Sequence, residues 1–364
     1  MKKLNIFVVG TRAQLIKIAP VIHEFEEKNI PLFLLMTGQH KETMNDLLTE
    51  FRIKTKPIYA VEASERSSIA SLFLWLPKAY FSTKTKINSI KQDYKDAFAN
   101  IFVHGDTLTT LLSAYCGKRT SCKVIHLESG LTSGNLWNPF PEEIIRRLVF
   151  KVTDFAFCPD EKSAQHMKNI SSAEIINTNG NTIFDALELV AYNEPPQANN
   201  AAYVVASIHR FDNIYNEARL KNIVEKLSEI SKIINIKFVL HPATIKRLKK
   251  YNLYEKLERQ NNIFLVNRMS YTNFIKTTMQ SACVLTDGGS NQEELAYLGI
   301  PTIIMRKCTE RIDGLGNNAI MENEIENLFH FIREKKYEAL RREKKLPHQP
   351  PPSQVIARHF FDKH

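Results

Sequence analysis

Short runs of β-branched and aromatic residues alternate with longer amphipathic stretches along the whole chain. That rhythm predicts parallel strands joined by crossover helices, an α/β class, and not an all-β or all-α design. In the first half the strands are expected at Leu4–Val9, Leu32–Met36, Asn100–Val103, Lys123–Leu127, Asp154–Cys158 and Ile175–Asn177. In the second half they are expected at Ala202–Ala206, Lys237–Leu240, Ile263–Val266, Cys283–Thr286 and Thr302–Met305. Between the two sets lies Tyr192-Asn193-Glu194-Pro195-Pro196-Gln197-Ala198-Asn199-Asn200, polar and proline-containing, where neither helix nor strand continues easily. It marks a boundary between an N-terminal domain over 1–192 and a C-terminal domain over 193–364, with Pro195-Pro196 as the expected hinge. After Pro350-Pro351-Pro352, a final short helix from about Ser353 to Phe361 is expected to pack back across the first domain.

Almost every expected strand is followed at once by Gly, Asp, Glu, His or Arg. The first half has Gly10-Thr11-Arg12, Thr37-Gly38-Gln39-His40, His104-Gly105-Asp106-Thr107 and Glu128-Ser129-Gly130. The second half repeats the habit with His209-Arg210, His241-Pro242, Asp287-Gly288-Gly289 and Arg306. In open parallel sheets ligands bind beyond the carboxyl ends of the strands, so these residues are placed for chemistry. One Asp or His in such a place is as readily a helix cap; their recurrence in both halves is what points to a ligand. The expected architecture is therefore two Rossmann-like parallel-sheet domains facing across a cleft.

Composition narrows the class. A length of 364 residues suits two domains at roughly 150 residues each. With 43% hydrophobic and 24% charged residues the chain is far from the mixture that stays disordered. The five cysteines, Cys116, Cys122, Cys158, Cys283 and Cys308, are scattered without CxxC spacing, which argues against a disulfide scaffold or structural zinc and for a reducing cytoplasm. The apolar run before Gly10 is too short for a signal peptide, and no apolar stretch reaches the ~20 residues of a spanning helix.

The balance of 49 basic against 39 acidic residues, a net +10, favours an anionic partner. No basic-aromatic recognition motif appears, so nucleic acid is not expected, and the dense group Arg341, Arg342, Lys344 and Lys345 reads as a solvated helix end. The stretch Leu72-Phe73-Leu74-Trp75-Leu76-Pro77-Lys78-Ala79-Tyr80-Phe81, with Lys84, Lys86, Lys91 and Lys95 after it, has two readings. One is a peripheral contact with the inner face of a membrane through 72–86. The other, which long apolar side chains favour, is a helix buried at a domain or subunit interface.

Three segments carry candidate chemistry. Gly10-Thr11-Arg12 joins a strand to a helix whose free N–H groups and dipole suit a phosphate, with Arg12 as a forked donor; its spacing is neither GxGxxG nor a P-loop. Thr286-Asp287-Gly288-Gly289-Ser290-Asn291-Gln292-Glu293-Glu294 makes a second such turn, with small residues that let backbone approach a diphosphate. The third runs from His126-Leu127-Glu128-Ser129-Gly130 to Pro141-Glu142-Glu143-Ile144-Ile145-Arg146. Proline followed by two glutamates is also a good helix start, but helix initiation does not account for Glu128 and Asp106 at neighbouring strand ends. Three carboxylates around a pocket with Lys17, Arg146 and His209 repel and pair, which separates acid from base roles.

These blocks, in this order from Gly10 to about Ile320, resemble the non-hydrolysing UDP-N-acetylglucosamine 2-epimerase family, whose two-domain frame is the GT-B architecture. The blocks are Gly10-Thr11-Arg12 with Lys17, 37–40, His104-Gly105-Asp106-Thr107, Glu128-Ser-Gly-Leu, Pro-Phe-Pro-Glu142-Glu with Arg146, Gly180-Asn181-Thr182 with Asp185, His209-Arg210 with Asn213, His241-Pro242, Asp287 to Glu294, and Thr309-Glu310-Arg311. The chain departs from the family at Ala13-Gln14, where Pro-Glu is usual, at Thr132 and Ile145, and in the order Gly288-Gly289-Ser290.

The resemblance implies elimination of UDP across C1–C2 to a 2-acetamidoglucal, then re-addition with the C2 hydrogen on the opposite face, with no redox cofactor or metal. It assigns acid and base roles to Asp106, Glu128 and Glu142. Lys17, Arg146 and His209 would hold sugar and diphosphate, Arg12, Gly288, Gly289 and Ser290 the phosphates, and Glu294 the ribose. Gln39, His40, His241, Asp287 and Arg311 complete the expected binding set, and a homodimer is implied as well. The alternative on the same frame is a membrane-associated glycosyltransferase acting on a lipid-linked or polysaccharide acceptor, and a third possibility is a hydrolysing variant that releases free sugar and UDP.

Overall fold

Two parallel sheets organise the chain, each inside its own unit. A computed structural model describes residues 3–38, 41–61, 69–94, 98–136, 141–191, 203–309, 311–345 and 347–361. The first unit comprises Met1–Val190 together with Pro347–His364, the second Ala191–Leu346. The segment 347–364, counted with the second domain in the sequence reading, thus belongs to the first unit. The linker Tyr192–Asn200 lies outside the described residues.

The first sheet has β1 (Leu4–Val9), β2 (Leu32–Met36), β3 (Pro57–Tyr59), β4 (Ala99–His104), β5 (Lys123–Leu127), β6 (Phe155–Cys158) and β7 (Glu174–Asn177), in the order β3-β2-β1-β4-β5-β6-β7. Every pairing is parallel. Helices cover both faces of such a sheet, so its central strands are buried at every position: all six residues of β1 and of β4 are buried. The one amide among them in β1, Asn5, is satisfied by the Asn100 amide at 2.9 Å and by donating to the Pro31 carbonyl at 3.0 Å. Phe7 and Phe102 stack at 4.3 Å, with Phe25 of the helix Arg12–Glu27 edge-on to both.

Phe360 of the helix Pro352–Phe361 closes this cluster, 5.0 Å from Phe102. The block Gly180-Asn181-Thr182 with Asp185 is the socket for that segment. A Cβ on Gly180 would come within 2.9 Å of the His348 ring; His348 stacks on Phe184 at 5.2 Å; and Asp185 accepts the Ser353 N–H at 2.7 Å. Burial pushes the Asp185 carboxyl up to about 6, against the pull of Ser353.

The helix Ile69–Asp93 turns Trp75, Ala79 and Ile87 fully into the core, while Phe81 is 66% exposed. Trp75 is therefore not a headgroup-level aromatic, which corrects one element of the proposed lipid contact through 72–86; the side chains of 72–74 lie outside the described ones. Among the described residues no helix is long and apolar enough to cross a membrane.

The second sheet has β8 (Tyr203–Ser207), β9 (Asn235–Leu240), β10 (Ile263–Asn267), β11 (Val284–Thr286), β12 (Thr302–Ile304) and β13 (Ala319–Met321), in the order β10-β9-β8-β11-β12-β13, again parallel throughout. β3 and β13, absent from the sequence reading, are three-residue edge strands, too short to show a period. Arg341 and Arg342 follow a short 3-10 turn and bind carbonyls of Ala282 and Ala339 at 2.8 and 2.7 Å; Arg342 is exposed, as at a solvated helix end, whereas half-buried Arg341 anchors the chain.

Each sheet reverses strand order once, between β1 and β4 in the first and between β8 and β11 in the second. In open parallel sheets that reversal is where a crevice opens.

Candidate active site

At the first reversal two strand-to-helix turns are clamped together by Gln14. Its carbonyl accepts from the N–H of Gly10 at 3.0 Å and of Thr11 at 3.2 Å, and its amide donates to the His104 carbonyl, Thr107 and Thr110, each at 2.9 Å. Gly10 is glycine because a Cβ there would lie 2.0 Å from the Thr109 hydroxyl. The departure at position 14 is thus a buried structural contact, 2% exposed, with both ends of a neutral amide in use.

The turn after β4 carries Asp106, and the turn after β5 carries Glu128. Asp106 meets the Arg146 guanidinium at 2.6 Å. Glu128 receives the Lys17 ammonium at 2.8 and 2.9 Å and lies 3.4 Å from His104 Nε2. Lys17 is 4% exposed, so its place in the middle of the helix Arg12–Glu27 is an inward one, not the solvent-facing lysine that helix spacing alone favours. Glu128 itself has φ of 58°, a left-handed backbone that costs a non-glycine residue energy and gathers at functional sites. A narrow crevice opens beside it, lined by Phe157, Thr178, Asn181, Thr182 and Ile356 among others.

His126, on β5, is buried and its Nε2–H donates to the Gly105 carbonyl at 2.9 Å. Burial pulls its imidazole down to about 4, so the ring is neutral near pH 7 and the carbonyl partner selects the tautomer with hydrogen on Nε2.

The helix Glu142–Phe150 supplies Arg146. Its two glutamates part company. Glu143 is wholly buried and holds Arg146 at 3.2 Å. Glu142, the expected third acid–base group, has Oε2 buried with no hydrogen-bond partner, and the ion pair to Arg146 belongs to its neighbour. Glu143, His104 and His126 stand in the quoted motifs, but the sequence reading gave none of them a role of its own. The two histidines sit on buried strands where a packed histidine is unremarkable by pattern, and a Glu-Glu pair gives no hint of which side chain faces inward. Gln39 and His40 lie outside the described residues, as does Glu310.

The second unit gathers a different set at its own reversal. Asp287 accepts from the backbone N–H of His209 at 3.0 Å and Arg210 at 2.9 Å and from the Asn213 amide at 2.8 Å, while His209 Nδ1 lies 3.3 Å from it. His241 caps the helix Pro242–Lys250 with its ring 5.8 Å from that of His209. The helix Gly289–Leu298 begins with Gly289 and Ser290, and Glu294 is buried within it. Arg311 pairs with Glu293 at 2.9 Å. The glycines have a side-chain reason for their size: a Cβ on Gly288 would come within 2.9 Å of the His209 ring, and one on Gly289 within 3.1 Å of Arg311 Nε. Asp287, expected to bind ligand, has its oxygens engaged by this framework. Arg12 lies at the start of the helix after β1, in the first unit.

The comparisons with known proteins agree with this fold. A sequence profile of the family described as UDP-N-acetylglucosamine 2-epimerase matches residues 23–347. The UDP-N-acetylglucosamine 2-epimerase of Methanocaldococcus jannaschii is 31% identical over 350 residues, covering 91% of each chain. The crystal structure of that organism's UDP-GlcNAc 2-epimerase in complex with UDP-GlcNAc and UDP superposes with a TM-score of 0.76 at 26% identity, covering 99% of each chain. The Neisseria meningitidis enzyme bound to UDP-GlcNAc gives 0.77 at 27% identity, with 100% of each chain covered. Two Rossmann-like parallel sheets of this topology, with acidic, basic and glycine residues at their switch points and a profile spanning most of the chain, place this protein in the UDP-N-acetylglucosamine 2-epimerase family, isomerases acting on a UDP-sugar.

Proposed function

We propose that this chain interconverts UDP-N-acetylglucosamine and UDP-N-acetylmannosamine-type sugars in the cytoplasm, by eliminating and re-adding UDP, and so supplies surface polysaccharide synthesis. The observation that carries this is the pair Asp106 and Glu128 at the ends of adjacent strands, each held by a cation, Arg146 and Lys17. Adjacent strands lie roughly 4.8 Å apart, so carboxylates at their ends can address one pyranose ring. Inversion at C2 needs a base to take the proton from one face and an acid to return one to the other. A single carboxylate serves one face; two serve both.

In the forward half the C2–H bond breaks toward the base, C1=C2 forms, and the C1–O bond breaks with its electron pair leaving on UDP. In the return half the diphosphate adds at C1 as C2 takes a proton on its opposite face. The sequence is redox-neutral. Lys17 and Arg146 keep two acidic groups compatible with one pocket and offer donors to charge developing on the diphosphate. Glu142, its Oε2 buried without a hydrogen-bond partner, is the third acid–base candidate. In the second unit His209, His241, Arg311 and the turn Gly288-Gly289-Ser290 hold the nucleotide, with Glu294 on the ribose; Arg12 is the phosphate candidate of the first unit.

Purified protein with UDP-GlcNAc in deuterated water is expected to yield a UDP-ManNAc product carrying deuterium at C2, read by NMR and mass spectrometry. An unchanged substrate without deuterium rejects the proposal, and release of free sugar with UDP replaces it by the hydrolysing variant.

A further inference from the structure

We propose that Glu143 is a positioning residue: its buried carboxylate aims the Arg146 guanidinium at Asp106 and ties the loop that follows Glu128 to the same helix. Both of its oxygens are in use. Oε1 accepts from the Thr132 hydroxyl at 2.5 Å and from Arg147 Nε at 3.4 Å; Oε2 accepts from the Ser133 N–H at 3.2 Å and from Arg146 Nη1 at 3.2 Å. Burial by itself pushes this carboxyl up, yet the bonds from Thr132, Ser133 and Arg146 outweigh it and hold the group below the ordinary glutamate value, so the clamp is ionised.

A guanidinium is planar, and a carboxylate on each terminal nitrogen defines that plane. Arg146 has this arrangement, with Glu143 on Nη1 and Asp106 on Nη2. Asp106 is the more exposed of the two, 27% against none at the Glu143 side chain. The rigid end of the pair is therefore Glu143. Without its charge Arg146 keeps one partner, on a turn that opens to solvent, and is free to rotate off it. The ionisable groups around this cluster are Asp106, Glu128 and His126 from the strand ends and Glu142 and Arg147 from the same helix.

Thr132 and Ser133 bring in the second half of the clamp. They follow Glu128-Ser129-Gly130-Leu131 directly, and both donate to Glu143, so one carboxylate sets the loop carrying Glu128 and the arginine facing Asp106. Thr132 is one of the positions where this chain departs from the family it resembles, and its hydroxyl has a defined task here: a neutral donor leaves the Glu143 charge for Arg146 and Arg147.

The kinetic consequence rests on the epimerase function proposed above; the geometric one does not, and the experiment separates them. Glu143→Gln is expected to lower kcat for UDP-GlcNAc roughly 10- to 100-fold with KM changed less than about threefold, since misplacing a catalytic partner slows chemistry more than binding. The pH profile of kcat is expected to move as the buried charge beside Arg146 is lost, and Thr132→Val should show the same changes at smaller size. In protein labelled with ¹⁵N-arginine, the Arg146 Nη signals, identified by their loss in Arg146→Lys, should be separate in the wild type and averaged in Glu143→Gln. Wild-type kcat, pH profile and Arg146 signals in Glu143→Gln overturn the proposal. So does a loss of kcat matched by an equal loss of folded protein, with the pH profile of the remainder unchanged. If the wild type does not turn over UDP-GlcNAc, the functional proposal falls alone, and averaging of the Arg146 signals still decides for or against Glu143.

Discussion

The two units share one topology and use it differently. Each is a parallel sheet that reverses order once, and each presents an aspartate at that reversal, Asp106 in the first and Asp287 in the second. Asp106 is bonded to the end of a long arginine side chain and is partly open to solvent. Asp287 is 1% exposed and bonded to two backbone N–H groups and an asparagine amide that cannot leave it. A carboxylate that meets a side-chain cation and stays partly open to solvent can exchange that partner for substrate. A carboxylate that satisfies fixed N–H donors is part of the scaffold, whatever its place on the sheet.

The strongest way to break this contrast is to remove each carboxylate in turn. Asp106→Asn is expected to reduce epimerisation by on the order of 10³-fold with little change in melting temperature. Asp287→Ala is expected to cost about 3 kcal/mol of stability, because it leaves buried donors unsatisfied, and to speed hydrogen exchange around 207–213. The contrast fails if the two variants melt alike.

Acid titration sharpens it further. His126 is pulled to about 4 in the folded first unit, below the ordinary 6.5, so the unfolded chain binds the extra proton between those values. Its contribution, up to about 3 kcal/mol, is complete above pH 6.5 and lost as pH falls toward 4. His126→Gln should flatten that slope in denaturation curves taken across the range, and an unchanged slope would refute the assignment.

Asp185 works in the opposite sense. Its folded value of about 6 lies above the ordinary 3.8, so its ionisation removes stability as pH rises through that window. Asp185→Asn keeps an acceptor for the Ser353 N–H and drops the buried charge. It should gain about 1–2 kcal/mol at pH 7 in urea denaturation and nothing at pH 3.5. The smallest expected effect is that of Gly180→Ala, about 1 kcal/mol from crowding His348 and Pro352, read as faster exchange in the helix Pro352–Phe361 with the second unit unaffected.

Much was legible along the chain. Strands such as Leu4–Val9 and Lys123–Leu127 stand where the apolar runs predict them, because a strand covered on both faces needs every side chain to be apolar or paired. The residues after those strands, Asp106, Glu128, His209 and Asp287, were visible for the same reason: the chain turns polar where the sheet ends. Tertiary structure alone decided which of them face cations and which face backbone. It also decided that Lys17 points inward, that Glu143 and not Glu142 holds Arg146, that Gln14 binds two turns across ninety residues of chain, and that the Gly180 block receives a helix from the far terminus. A hydrogen bond or ion pair is fixed by distance in space, and sequence separation carries no trace of it until the sheets bring the ends of distant strands together.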